Sequence, residues 1–182
     1  TIQNTQFYFK PCLTWSALTS GKLSLRWSDE GAIFGSGAHC AFADNKTMRY
    51  AIGLMNGVIF DSFLKLLSPT LNINVDDIRA VPYIIHNTEE IISIVDRCIE
   101  TTRKDWDAHE TSWDFQENEL IRLVKKHALE TGEGSFSIEA VMKSYQAEWE
   151  EKFKQLHANE EELNRQFIEI YGLQDELTPN VP

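Results

Sequence analysis

The stretch that most constrains this chain is Arg49–Tyr83, RYAIGLMNGVIFDSFLKLLSPTLNINVDDIRAVPY. Tyr50, Ile52, Leu54, Met55, Val58, Ile59, Phe60, Phe63, Leu64, Leu66 and Leu67 fall within eighteen residues. On a helix they cover most of the circumference, the pattern of a segment buried on nearly all sides. Asn56, Gly57, Asp61, Ser62 and Lys65 interrupt it too often for a membrane span. The spacing predicts one buried helix that ends at Ser68-Pro69, because proline disfavours the α conformation in the residue before it. The chain then turns through Leu71–Asn74 and runs to Ile78, Val81 and Pro82, where β-branched residues suit a short extended segment. This is the predicted packing centre.

Upstream, the periodicity is that of strands. Lys22 to Ser28 alternates polar and apolar, placing Leu23, Leu25 and Trp27 inward and Lys22, Ser24, Arg26 and Ser28 outward. Phe7 and Phe9 predict an earlier strand closed by Pro11, and Leu13–Leu18 another. Ala32–Phe34 and Cys40–Phe42 are weaker candidates around Gly35-Ser36-Gly37. Turns fall at Ser20-Gly21 and Asp29-Glu30-Gly31. Asp44 to Thr47 offers helix-start chemistry before the buried helix.

After Tyr83 the period becomes helical. Asn87 with Glu90 resembles a capping box, and Ile91, Val95, Cys98, Thr102 and Trp106 follow at helical spacing. Leu120, Leu123, Val124 and His127 mark a shorter helix that stops before Gly132-Glu133-Gly134. A stripe of Ile138, Val141, Met142, Tyr145, Trp149, Phe153 and Leu156 starts after Ser137. Asn159 with Glu162 predicts a fresh start, leading to Leu163, Phe167, Ile170 and Tyr171, with Gly172 as C-cap. The expected fold class is α+β. A small mixed or antiparallel sheet packed on the buried helix (residues 1–86) precedes an acidic helical bundle or arm (87–182).

Charge divides at the same place. Residues 1–85 carry seven basic and six acidic side chains; the rest carry ten and twenty-two, within a total of −11. An acidic half is repelled by a line of phosphates, whereas a near-neutral half with local cations is not. Cys12, Cys40 and Cys98 are odd in number and widely spaced, which favours reduced thiols over a disulfide frame or a zinc site. No run resembles a signal peptide or transmembrane helix, so a soluble, cytoplasmic chain is expected. An opening at Thr1 without methionine, directly into strand-like sequence, suggests a piece of a longer protein.

Several fragments imitate catalytic motifs and fail. Gly35-Ser36-Gly37 lacks a dinucleotide-binding glycine, since Cys40 stands there, and His109-Glu110 meets Trp113 where a zinc helix needs histidine. Glu150 and Lys152 form an E-x-K within a helical pattern without a preceding P-D, which reads as a solvated helix face. The five histidines are scattered, and no metal set, P-loop or G-x-S-x-G is present. By itself the chain does not look catalytic.

Gly53-Leu54-Met55-Asn56-Gly57-Val58, followed by Val75 to Tyr83, resembles target-recognition domains of restriction–modification methyltransferases. There an L-N-S-K-like helix precedes a D-I-x-x-I-P strand; here Met55 intervenes and Gly57 replaces the serine. Thr14 to Arg26, Gly31 to Phe34, Asp105 to Phe115 and Asn159 to Leu173 narrow the resemblance. In that order they are similar to the C-terminal region of the PglX-like adenine-specific DNA methyltransferases of BREX phage-defence systems. The resemblance implies a target-recognition piece, with methyl transfer and S-adenosylmethionine belonging to an upstream domain of the same polypeptide. It implies double-stranded DNA and the upstream catalytic domain as partners, with other defence subunits as further candidates. The family's F-x-G-x-G loop and N-P-P-Y/F segment are both missing, so no cofactor is expected in this fragment.

The candidate DNA-binding residues are Thr14, Ser16, Thr19, Ser20, Gly21, Lys22, Ser24 and Arg26. Hydroxyls and amides grip phosphates, and arginine pairs bidentately with guanine. Asn56, Asp77 and Pro82 are read as structural, Asn56 as a hydrogen-bond anchor for the preceding strands. Two other readings are an acidic protein–protein scaffold, and part of a fused restriction endonuclease-methyltransferase whose cleavage domain lies elsewhere. With the cofactor motifs absent, calorimetric titration of the isolated chain with S-adenosylmethionine should give no heat of binding. Stoichiometric binding at micromolar concentration would refute this.

Overall fold

Alternation in the first forty residues gives a small sheet in which the central strand, β1 (Cys12–Ser16), is most buried. It pairs antiparallel with β2 (Arg26–Ser28) on one side and β3 (Ala38–Ala41) on the other. The computed structural model describes residues 3–68, 73–131 and 137–182. Its architecture is α+β, with the sheet antiparallel throughout.

Leu23 and Leu25 are buried while Lys22, Ser24 and Arg26 are exposed, so the alternation is real. The ladder nevertheless covers only Arg26–Ser28, because both backbone groups of Leu25 are taken by a side chain, Asn56. Farther along, Trp27 and Ser28 are both half-buried. No strand forms at Phe7 and Phe9. Thr5–Phe7 is a 3₁₀ turn, and Phe9 has φ 63°, outside the β region. Phe7 instead stacks on Phe42 at 4.6 Å, and Phe34 packs against Tyr8 and Phe42, so Ala32–Phe34 serves as aromatic cover rather than strand.

The predicted single buried helix is two. Helix α1 (Asn45–Met55) starts at Asp44, whose Oδ1 accepts from Thr47 N at 3.0 Å. Helix α2 (Val58–Leu67) follows after a bend of 74° at Asn56-Gly57. Asn164, distant in sequence, places its Oδ1 3.0 Å from Val58 N and supplies the acceptor that α2's first turn lacks. A Cβ at Gly57 would lie 3.1 Å from that oxygen, so the bend selects the residue without one. Among the described residues no single helix is long and apolar enough to cross a membrane.

The extended segment expected at Ile78 is a helix, α3 (Val75–Ala80). Asn74 and Asp77 form a capping box, with Asp77 Oδ2 accepting from Asn74 N at 3.0 Å, and this reciprocal pair outweighs β-branched propensity. Pro69 and Leu71 lie outside the described residues. The segment after Pro82 is extended but joins no strand. Tyr50 Oη donates to Ile84 O and accepts from His86 N, while Tyr171 Oη donates to Pro82 O and accepts from Ile84 N. Two phenols thus stand in for a neighbouring strand. Burial raises the pKa of both, and that of Tyr83 is pushed up to about 12.

Three long helices complete the chain: α4 (Thr88–Asp107), α5 (Glu119–Thr131) and α6 (Ile138–Tyr171). The expected fresh start at Asn159 does not occur, because α6 runs through it. Asn159 is buried and its Oδ1 accepts from Gln155 Nε2, while Glu162 holds Arg165 and Gln166, so neither side chain turns back to cap. Gly172 ends α6 at φ 68°, with Leu173 N bonded to Ile168 O and Gly172 N to Glu169 O, a Schellman motif. The Gly132–Gly134 stop lies outside the described residues.

Packing defines two compact units, Thr1–Asp96 with Glu160–Pro182, and Arg97–Asn159. The strands end at Ala41 and α-helices begin at Asn45, well before residues 86–87. In the first unit β1 packs on α1, and the core joins Leu13, Trp15, Tyr50, Leu54, Phe60 and Phe167. Gly53 permits the closest approach, since a Cβ there would lie 2.6 Å from Val95 Cγ2. Gly53→Ala gains about 1 kcal/mol of helix propensity but overpacks a buried, β-branched neighbour by more. Urea unfolding should show a net loss of about 1–2 kcal/mol; a stabilised variant would contradict this packing.

Candidate nucleic-acid interface

On one face of the sheet, pleating places Thr14, Ser16 and Arg26 together, with Thr14 directly opposite Arg26. Arg26 Nη2 donates to Ser16 Oγ at 3.2 Å, which orients the exposed guanidinium. The Thr14 hydroxyl donates to His39 O at 3.1 Å, leaving its lone pairs as acceptors. Thr19 Oγ1 accepts from Gly21 N at 3.2 Å and shapes the bend that exposes Ser20, Gly21 and Lys22. Ser24 is exposed between buried Leu23 and Leu25. The bend and the sheet face are therefore consecutive along one edge of the first unit.

Charge pairing separates these cations from the others. The first unit contains eight basic residues, and Lys46, Arg49, Lys65, Arg79 and Arg165 each pair with a carboxylate. Among the described residues, Lys10, Lys22 and Arg26 have no carboxylate partner. Sequence reasoning missed Lys10, whose ammonium stands 5.9 Å from the Phe7 ring centroid. It also missed Arg49, stacked over Trp27 at 4.8 Å. No local pattern signals either contact, because each joins distant or irregular segments. Trp15 is core, and Trp27 Nε1 donates to Asp29 at 2.9 Å.

The three residues read as structural have defined partners. Asn56 Oδ1 accepts from Leu25 N at 2.8 Å and its Nδ2 donates to Leu25 O at 3.0 Å, a two-point clamp on the segment carrying Lys22, Ser24 and Arg26. Asp77 closes the α3 capping box and accepts from Ser68 Oγ, and Pro82 O accepts from Tyr171. The three cysteines are free thiols, and burial, with Cys40 beside it, pushes Cys12 up to about 12. Among the described residues no group of three or more His, Cys, Asp or Glu could hold a metal ion.

The chain is similar, over 97% and 98% of its length, to a segment of two adenine-specific methyltransferases. One is the adenine-specific methyltransferase PglX of Lacticaseibacillus casei, 37% identical over 177 residues. The other is the adenine-specific methyltransferase BrxX of Escherichia coli, 28% identical over 182 residues. The chain spans 14% of the length of each. No family model matches.

Asn56→Ala would leave the amide and carbonyl of Leu25 without partners. A loss of about 1–3 kcal/mol is expected by urea unfolding. The Leu25 amide should also exchange with deuterium at least tenfold faster, and unchanged exchange would remove Asn56 as the clamp.

Proposed function

We propose that this chain is a DNA target-recognition segment of an adenine-specific DNA methyltransferase of restriction–modification or BREX phage-defence type. Lys22 and Arg26, free of carboxylates beside Thr14, Ser16 and the Thr19–Gly21 bend, carry the reading. Cations left without a carboxylate in a unit that pairs five of its eight basic residues are available to phosphates and base edges. The similarity to methyltransferase segments supports DNA as the partner. On this reading residues 1–86 touch double-stranded DNA and the acidic helices of 87–182 face away from it. S-adenosylmethionine and the transfer step belong to the upstream catalytic domain of the same polypeptide. The fragment itself is non-catalytic, and the protein works in the cytoplasm where its DNA lies.

With so few free cations, the isolated chain should bind duplex DNA weakly. Each phosphate contact contributes about 0.9 to the log–log salt slope. In the intact enzyme, Lys22→Ala with Arg26→Ala should lower methylation at target sites at least tenfold. Stability should stay within about 0.5 kcal/mol, since both side chains are exposed. Wild-type methylation by the double variant would show that this face is not the reader.

A further inference from the structure

The Arg97–Asn159 unit has almost no core of its own: among its described residues only Leu123 and Val141 are buried apolar side chains. Several of its large apolar groups are exposed instead, Ile138 at 74%, Phe153 at 65% and Trp113 completely. On α6, Ile138, Met142, Tyr145, Trp149 and Phe153 recur at steps of four and three residues. At about 100° per residue they fall within one narrow arc extending over four turns. Helix α5 packs on a different arc, where Arg122 reaches Glu148 at 2.9 Å and Leu123 lines a cleft with Ala140, Val141 and Ser144. Among the described residues Ile138, Met142 and Phe153 of this stripe are exposed, while Tyr145 and Trp149 are half-buried and Lys152 lies over the Trp149 ring.

We propose that this stripe is the docking surface for another segment of the same polypeptide, within the long remainder that the methyltransferase relatives carry outside the matched stretch. Two observations select that occupant. A face of Ile, Met, Tyr, Trp and Phe is that of a permanent interface, which resembles a divided core, rather than of a transient partner. The chain spans 14% of each relative, so a tethered segment is present whenever such a polypeptide is made, at high effective concentration. The inference does not depend on the DNA-reading face.

The test compares hydrogen–deuterium exchange in the 182-residue chain and in the intact gene product that carries it. Amides of Ile138–Phe153 should exchange at least tenfold more slowly in the intact product. Lys143 and Lys154 should cross-link to lysines outside this chain. Met142→Lys with Phe153→Lys in the intact product should abolish that protection while Gly53 and Ile91 amides keep theirs. Equal exchange in both wild-type forms would overturn the proposal whatever the variant does. Protection of the short chain that vanishes on dilution would identify a second copy instead. Protection that needs an added protein, or an intact product no longer than this chain, would equally overturn it.

Discussion

The first unit depends on how the break between α1 and α2 is satisfied. A helix that bends by 74° inside a core leaves backbone groups that water cannot reach. Two asparagines act at this break, one on its backbone and one on the sheet segment beside it. Asn164 on α6 accepts from Val58 at the start of α2 and donates to Pro179 O, holding the C-terminal tail in place. Asn56, at the break, turns its amide to the backbone of Leu25. The bend thus becomes the point where helices, sheet and tail are joined.

The candidate interface follows from that junction. An exposed strand edge carrying lysine, serine and arginine would be a mobile surface if it were held by three ladder residues alone. The Asn56 clamp fixes its backbone in the middle, and Ser16 fixes the guanidinium at its end. Preorganisation of this kind lowers the ordering cost of binding, which matters most where few contacts are made. The tyrosines play a parallel part for residues 82–86, supplying to an isolated extended segment the hydrogen bonds that a sheet would have given.

The two units contrast in how far their apolar surface is used. The first buries aromatic and aliphatic groups from strands, helices and tail together, and Gly53 lets α1 approach α4 until nothing larger than hydrogen fits. The second joins α5 to α6 through the ion pair of Arg122 with Glu148, and exposes large apolar side chains such as Ile138 and Phe153. Ion pairs at this exposure contribute little each. Among its described residues only Leu123 and Val141 are buried apolar side chains.

Periodicity and capping chemistry determined a good deal from the sequence alone. The α+β class, the inward Leu23 and Leu25, the Asp44 start of α1 and the Gly172 stop of α6 are local patterns with local causes. The resemblance carried by Gly53–Val58 and Val75–Tyr83, narrowed by Thr14–Arg26, Gly31–Phe34, Asp105–Phe115 and Asn159–Leu173, pointed to the methyltransferases to which the chain proved similar. Tertiary structure decided what rests on distant partners. Asn164 and Leu25 cap and clamp a break that reads in sequence as a continuous apolar helix. The extended reading of Ile78 yielded to the Asn74–Asp77 capping box, and Asn159 stayed within α6 because its side chain is buried rather than turned to a cap. The freedom of Lys22 and Arg26 was equally hidden, because whether a cation meets a carboxylate depends on which surfaces fold together.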